Sequence, residues 1–443
     1  MTASLHYPFK TRLATLLVAV LIALMPLNLL TNLGQASGVF YALAVICLVI
    51  CLLRVGGLSA TLADLKEYRV LAVALFFSVL VIALAALRTD LRLDTEFERA
   101  LRVSLATFVM LGACLALIPH WLRQATWGLV AATWASAGYA LWLSRASVKR
   151  PDNLPQFNAV SYGDLLLLIT VLATFSVGWR LTRFRKTEIA LKALTLVVGL
   201  LGFMATQTRG GWLAVPFFIV IGLVLLSGKA SPRKLVLPAL IAMLIASAVL
   251  ASNSVMRQRF SQAITQTADC LEHPLSISSE CGRIQLWHVS WLMFKSDPLF
   301  GSGSTQTFRP MVEHYWRQGI VSDFTHAQGF GEPHSDIMFS LASHGLLGVA
   351  ALLLMYFAPA WIFARRLSAH VTAPARVAAA MGLVVCVGFF VFGWTELILR
   401  TLRTLSFYAM SIAWLLALSD ERFLKQSENE VMTKLKRPST TPS

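Results

Sequence analysis

Residues 253–333 open as Asn253-Ser254-Val255-Met256-Arg257-Gln258-Arg259-Phe260 and close as Phe330-Gly331-Glu332-Pro333. They form a single polar stretch of about eighty residues in a chain that otherwise runs as a series of apolar segments of membrane length. Working outward, about twelve such segments are expected, near 12–31, 38–53, 70–87, 100–118, 125–143, 161–181, 189–207, 211–227, 235–252, 335–361, 377–393 and 399–418. The expected fold is therefore all-α: a polytopic helical membrane protein with about twelve transmembrane helices and one large outer loop containing short helices. Residues 1–252 would carry nine spans, 253–333 the loop, 334–418 three further spans, and 419–443 a cytoplasmic, disordered tail ending Lys436-Arg437-Pro438-Ser439.

Composition points the same way. Of 443 residues, 57% are hydrophobic and only 14% charged, and the mean hydropathy is +0.68, which excludes an ordinary soluble domain. The formal net charge is +16. Its basic residues are scattered between spans instead of forming one continuous face, so no nucleic acid is expected as a partner. They fall instead in alternate short loops: Arg54, Lys66 and Arg69; Arg180, Arg183, Arg185 and Lys186; Lys229, Arg233 and Lys234; Arg365, Arg366 and Arg376. That bias predicts that these loops are cytoplasmic, facing anionic membrane lipids, and that the large loop is periplasmic. Lys10 and Arg12 precede the first span without a small-residue cleavage site, so this span is expected to be retained.

Cysteine usage separates two environments. Cys47, Cys51, Cys114 and Cys386 lie in apolar segments, where a thiol behaves as a small hydrophobe. Cys270 and Cys281 lie in the large loop, where an oxidising compartment would allow a disulfide just before Arg283. After Cys281, the residues Ile284, Leu286, Trp287, Val289, Trp291, Leu292 and Phe294 predict an amphipathic helix against the membrane surface, and Asp297-Pro298-Leu299-Phe300-Gly301-Ser302 ends it. A second helix is expected over 305–317.

The candidate chemistry clusters around this loop. Arg209 stands in Thr206-Gln207-Thr208-Arg209-Gly210-Gly211-Trp212, and Arg283 in Cys281-Gly282-Arg283-Ile284. His334 opens the next apolar run. Fixed arginines near a bilayer can stabilise the charge that develops on a departing pyrophosphate by bidentate hydrogen bonds, without a metal. Two glycines beside Arg209 would let backbone approach a phosphate. An imidazole can take a proton from an attacking sugar hydroxyl. Competing readings make Arg209 an interfacial side chain that snorkels, Arg283 a solvated loop cation, and His334 an interfacial hydrogen-bonding residue with His326, His344, Glu332 and Asp336 as rivals. Asp94, Glu96 and their neighbours Asp90 and Glu98 could hold a hard cation, but they alternate with Arg88, Arg92 and Arg99 and read more simply as a compensated solvated face.

Arg209-Gly210 at a span junction, Gly282-Arg283 in the long loop, and His334-Ser335-Asp336-Ile337-Met338 running to His344-Gly345-Leu346-Leu347-Gly348 together resemble the O-antigen ligase and polymerase superfamily. The resemblance is specific over 204–349 and departs from the family pattern at Ser335 and His344. It implies an enzyme of lipopolysaccharide biosynthesis in the bacterial inner membrane, a glycosyltransferase with its site facing the periplasm. Such an enzyme moves O-antigen glycan from undecaprenyl pyrophosphate to a sugar hydroxyl of a lipid A-core acceptor, with no cofactor and no metal. By the same resemblance Arg209 and Arg283 would hold the pyrophosphate and His334 would assist the acceptor, with Gln207 and Trp287 as further substrate-binding candidates. Among the alternatives, an O-antigen polymerase and a protein O-oligosaccharyltransferase would share these residues. A membrane transporter would instead place charges mid-span in corresponding halves.

Overall fold

The computed structural model describes residues 7–31, 35–88, 95–146, 157–227, 254–368 and 371–424, with Leu154 and isolated residues between 237 and 252. Most of the apolar segment expected at 235–252, the acids Asp90 and Asp94, and the tail from 425 onward lie outside the described residues. Every regular element among the described residues is helical. The first part of the chain forms α1 (Phe9–Leu30), α2 (Ala36–Leu53), α3 (Gly57–Leu65), α4 (Arg69–Arg88), α5 (Thr95–Cys114) and α6 (Pro119–Gln124). It continues through α7 (Thr126–Ala146), α8 (Ala159–Phe175), α9 (Arg185–Ala205) and α10 (Val215–Ser227). The loop contributes α11 (Ser254–Glu272), α12 (Ser279–Ser296), α13 (Phe308–Arg317) and α14 (Asp323–Ala327), and the chain returns to the bundle as α15 (Asp336–Ser368), α16 (Ala373–Phe392) and α17 (Leu402–Leu418).

Seven of the described helical segments are long and apolar enough to cross a membrane: Phe9–Leu30, Ala36–Leu53, Gly57–Arg88, Ala159–Gly178, Arg185–Ala205, Asp336–Ser368 and Ala373–Phe392. Gly210–Leu226 and Leu402–Leu418 are shorter apolar helices. Helix is the form such sequences must take, because in hydrocarbon each backbone amide and carbonyl needs a partner within its own segment. The segments differ in how far protein covers them. The apolar windows of α8 and α16 are 72% and 78% buried, against 28% for that of α2, so α8 and α16 form the centre and α2 lies at the rim. Small residues make the central packing close: a Cβ on Gly382 of α16 would lie 2.2 Å from the Phe363 ring of α15.

Side-chain bonds define two ends of the bundle. At one end Asp420, just after α17, accepts from Tyr68 (2.8 Å), Arg366 (3.2 Å) and Arg422 (2.9 Å), and the Trp179 indole donates to the Pro374 carbonyl (2.9 Å). Burial pushes the Asp420 carboxyl up, but the hydrogen bond from Arg422 and the Arg366 charge outweigh it and hold it below its ordinary value. At the other end Arg99 donates to the Arg400 carbonyl (2.5 Å), Asn158 to Glu396 (3.1 Å), and Thr208 to the Ala159 carbonyl (2.7 Å). Arg54, Lys66, Arg69, Arg180, Arg183, Arg185, Arg365 and Arg376 stand on the connections of the first end. Arg209, Arg283 and His334 belong to the second.

The loop is a small folded unit. Leu286, Val289 and Met293 of α12, Phe308 and Val312 of α13, and Phe339 of α15 share a buried apolar cluster. The expectation of a helix over 284–294 holds, and part of its apolar face, Leu286, Val289 and Met293, packs on α13 and the start of α15, while Trp291 is exposed. That start is separated from the rest of α15 by Gly345, whose φ of 62° and ψ of −152° interrupt the helix. The freed groups are met by the turn after α12. Ser302 and Gly303 amides donate to the Ala342 and Ser343 carbonyls (3.0 and 2.8 Å), and the Leu346 and Leu347 amides donate to Pro298 and Leu299 (2.9 and 3.3 Å). A Cβ on Gly345 would stand 2.5 Å from the Leu299 carbonyl carbon, and one on Gly301 would stand 2.7 Å from Ala342 O.

Gly345→Ala should therefore destabilise the protein by about 2 kcal/mol or more, since this backbone region is open almost only to glycine and the contact is with backbone that cannot swing away. Gly38→Ala in α2, where a Cβ meets nothing within 4 Å, is the control and should be neutral. Thermal unfolding of both variants in detergent checks this; equal midpoints would show that the break does not require glycine.

Candidate active site

Four connections converge at the second end of the bundle: the α9–α10 junction with Arg209, the start of α12 with Arg283, the lead into α15 with His334, and the α16–α17 turn Gly393-Trp394-Thr395-Glu396. Ser278 caps α12, accepting from the Cys281 amide at 3.1 Å, so Glu280 and Arg283 fall in its first turn. The Cys270 and Cys281 sulfurs are bonded, with Cα atoms 5.2 Å apart, and this tie joins α11 to the start of α12.

Arg209 and Arg283 are brought to the same carboxylate. Arg209 Nη2 lies 2.6 Å from Glu280 Oε1 and its Nη1 donates to the Arg259 carbonyl at 2.9 Å, while Arg283 Nη1 lies 3.9 Å from Glu280 Oε2. Burial lowers the affinity of the Arg209 guanidinium for its proton, Glu280 opposes that, and the neighbouring Arg283 and Arg259 charges add to it. The group stays a cation, as arginine does in proteins. Gln207, beside it, accepts from Arg259 Nη2 at 3.0 Å. Gly210 and Gly211 are required by packing. A Cβ on Gly211 would sit 2.8 Å from both Asp164 and Phe203, and one on Gly210 2.7 Å from Thr395, so these glycines let the junction pack against α8, α9 and the α16–α17 turn.

His334 has φ of 51°, and Gln207 has φ of 54°. Among the described residues these are the non-glycine positions with positive φ, and both flank the site. Such backbone costs about 1–3 kcal/mol and persists only where surroundings over-determine it. Here the Trp287 indole donates to Pro333 O (2.9 Å), the Asp336 amide and Ser335 hydroxyl donate to Gly393 O (2.8 and 3.3 Å), and the Phe330 ring meets the imidazole edge-on with centroids 5.0 Å apart. Trp287, a substrate-binding candidate from the sequence, thus braces the residue before His334.

Glu396, only 2% exposed, joins the two parts of the site and was not singled out by the sequence reading. It accepts from Asn158 Nδ2 (3.1 Å) and Ser161 Oγ (3.4 Å), both at the start of α8, and from Arg283 Nη2 (3.3 Å). Its Oε2 lies 3.8 Å from His334 Nδ1, and Glu332 Oε1 lies 3.7 Å from the same nitrogen. Burial pushes the Glu396 carboxyl up, but the His334 ring, Arg283 and Asn158 outweigh it and hold it below its ordinary value. With its folded value depressed, its contribution to stability is complete above the ordinary carboxylate range and is lost as pH falls through the lowered value. The available signal was a lone acid in a short turn between two apolar segments, an expensive placement that often marks function.

Of the rival residues Glu332 stands in this centre, beside His334, and the others make their contacts elsewhere. Glu96 accepts from Thr305 (2.9 Å), and its Oε1 is 4.0 Å from His344 Nε2; Glu98 pairs with Arg102 within α5. Asp336 is buried, accepting from Tyr356 at 2.9 Å. His326 stacks on Trp316. No group of three or more His, Cys, Asp or Glu side chains among the described residues is arranged to hold a metal ion. Beside the centre, Glu96, Arg99, Asp336, His344 and Arg400 edge a cavity of about 160 Å³ whose remaining wall is mostly apolar, from α4, α5 and α15.

The fold and site define a multi-pass helical membrane protein with a basic, histidine-bearing centre at one end of its bundle. Residues 194–353, which contain Arg209, Arg283 and His334, match the family model described as O-antigen ligase, in line with the resemblance read from these residues. The family is one of lipid-linked glycan transferases. An uncharacterized protein of Haemophilus influenzae is 26% identical over 216 residues, which cover 45% of this chain and 50% of that protein; the chain spans about half the length of this relative.

Replacing Cys270 and Cys281 with serine should cost about 2–3 kcal/mol by the chain-entropy account of a short closed loop. It should also lower any activity of this centre, because the start of α12 carries Glu280 and Arg283. Reductant titration of thermal stability and activity measures both; a reduced protein as stable and active as the oxidised one would refute the coupling.

Proposed function

We propose that the protein is an O-antigen ligase of lipopolysaccharide biosynthesis, acting in the bacterial inner membrane on undecaprenyl-pyrophosphate-linked O-antigen as donor and lipid A-core as acceptor. The observation that carries this reading is the convergence of Arg209 and Arg283 on Glu280, with His334 joined to Arg283 through Glu396. In the reaction, an acceptor hydroxyl oxygen attacks the anomeric carbon of the donor sugar. The bond from that carbon to the pyrophosphate oxygen breaks, and its electron pair leaves with the lipid pyrophosphate. Arg209 and Arg283 take up the developing charge, a role for which their planar donor forks are suited. The hydroxyl proton passes to His334. No step needs a metal ion or cofactor. The apolar-walled cavity beside the centre suits the first carbons of a lipid chain.

Twelve spans are proposed, adding α5, α7, α10, α17 and the segment at 235–252 to the helices of full membrane length. The end rich in Arg and Lys connections then faces the cytoplasm and the site faces the periplasm. A cysteine at Ile264, which is 71% exposed in α11, should react with a membrane-impermeant thiol reagent in intact spheroplasts. Labelling only after lysis would invert the topology and remove the proposed site from its substrates.

Arg209→Lys and Arg283→Lys should each lower transfer sharply while the protein stays folded, because lysine keeps the charge but not the bidentate fork. His334→Ala should lose about 10²- to 10⁴-fold and still bind donor, and the wild-type protein should work in EDTA. Activity of purified protein and the lipopolysaccharide ladder of a deletion strain decide. Loss of long chains with accumulation of lipid-linked polymer fits the ligase, whereas one repeat left on the core would assign polymerisation instead. Dependence on magnesium with an active His334→Ala would refute the mechanism.

A further inference from the structure

Glu396 lies within reach of both functional halves of the site, yet it can touch neither the reacting sugar nor the pyrophosphate directly, since it is buried beneath Arg283 and His334. Its position is set by two largely buried helices: it follows α16 by four residues and is bonded to Asn158 and Ser161 at the head of α8. Asn158 is itself fixed, because its Oδ1 caps α8 by accepting from the Ser161 amide at 2.8 Å. The charged groups facing His334 are Glu332 and Glu396, both on the Nδ1 side; Glu332 is already drawn towards Arg400, whose Nη1 lies 2.7 Å from its other oxygen.

We propose that Glu396 is the positioning residue of this site, holding the proton of His334 on Nδ1 so that Nε2 is the free base, and fixing Arg283 by the same carboxylate. The inference rests on the ligase reading above, in which His334 receives the acceptor proton. In a neutral imidazole one nitrogen carries the proton and the other accepts, and the partner of the first decides which is which. An anionic carboxylate can only accept, so the nitrogen facing it keeps the hydrogen. The present 3.8 Å is ion-pair distance and not yet a hydrogen bond; such contacts commonly tighten when substrate fills the site. As His334 takes up the acceptor proton, its ring becomes a cation, and the adjacent buried carboxylate stabilises that cation where water cannot. The other oxygen of the same carboxylate, Oε1, meets Arg283, so the base and the pyrophosphate clamp are set at a fixed separation by a single side chain.

The test is a double-mutant cycle of Glu396→Gln with His334→Ala on the full-length protein in detergent or nanodiscs, using lipid-linked donor and lipid A-core. Glu396→Gln alone should lower kcat by about 10²-fold, in the range lost when a supporting shell partner is removed. It should also move the acidic limb of the pH–rate profile to lower pH, since the carboxylate no longer favours the protonated ring. Donor KM should rise less than in Arg283→Ala. Combined with His334→Ala, it should cause clearly less loss of kcat than it causes alone, the remainder being the part that acts through Arg283. Glu396→Asp, which keeps the charge but withdraws it, should be intermediate and have the unshifted pH limb. Should Glu396→Gln fail to fold, Glu396→Asp is carried through the same cycle and judged by the same criterion. Full activity of Glu396→Gln, or losses that add in the double variant, would overturn the proposal while leaving the ligase reading intact. An active His334→Ala would instead overturn the reading on which both depend.

Discussion

Backbone amides and carbonyls at membrane depth must be bonded, and the break at Gly345 can exist only because the turn 297–303 supplies what the interrupted helix has lost. Much of the site follows from this exchange of hydrogen bonds. It binds the C-terminal end of α12 to the bundle and lets the short first segment of α15 tilt into the loop, where Phe339 enters the cluster of Leu286 and Phe308. With α12 anchored at both ends, by this turn and by the Cys270–Cys281 bond, Arg283 and Trp287 have fixed places. Trp287 then holds Pro333, and Pro333 delivers His334 in its left-handed conformation. The interval between His334 and Gly345-Leu346-Leu347-Gly348, read from sequence as a spacing, is in physical terms the length of that tilted segment.

Charge is the second constraint. Two arginines held side by side and partly out of water would repel one another if nothing lay between them, and Glu280 occupies that place, 2.6 Å from one and 3.9 Å from the other. A carboxylate and a phosphate oxygen offer similar acceptors to a guanidinium fork, so on the proposed reading an entering pyrophosphate would exchange with Glu280 without stripping the arginines of partners. Removing only one member of such a buried group leaves an uncompensated charge, a larger penalty than the intact pairing is worth. Glu396 is different in kind: at 2% exposure and bonded on several sides, it is built to stay.

The sequence was most legible where one residue type had one physical reason to be present. Apolar length announced the helices, alternating basic connections announced which ends lie together, and the arginine and histidine stood out against hydrocarbon-like surroundings. Gln207 and Trp287 were recognised as local to the site, but what each touches, Arg259 and Pro333, depends on contacts between distant segments that no spacing encodes. The packing at Gly210 and Gly211 was hidden for the same reason. Glycine beside arginine permits backbone to approach either a phosphate or another helix, and only the position of Asp164, over forty residues earlier, separates the two. Glu396 was the largest omission: it stands in the nine-residue connection between α16 and α17, and the contact that gives it meaning is with Asn158, more than two hundred residues away.

That omission bears on how the site is held. The loop supplies Arg283 and the lead to His334, and loops of this kind are the more mobile parts of a protein. A base and a clamp must nevertheless be set to within a fraction of an ångström for transfer to be efficient. The structure meets both demands by placing the shared anchor outside the loop, on the ends of α8 and α16, whose apolar windows are 72% and 78% buried. Interiors packed this closely resist displacement. On the proposed mechanism, motion of the loop as donor and acceptor enter would then alter access without altering the separation of Arg283 from His334, because both contact one carboxylate held by the bundle core.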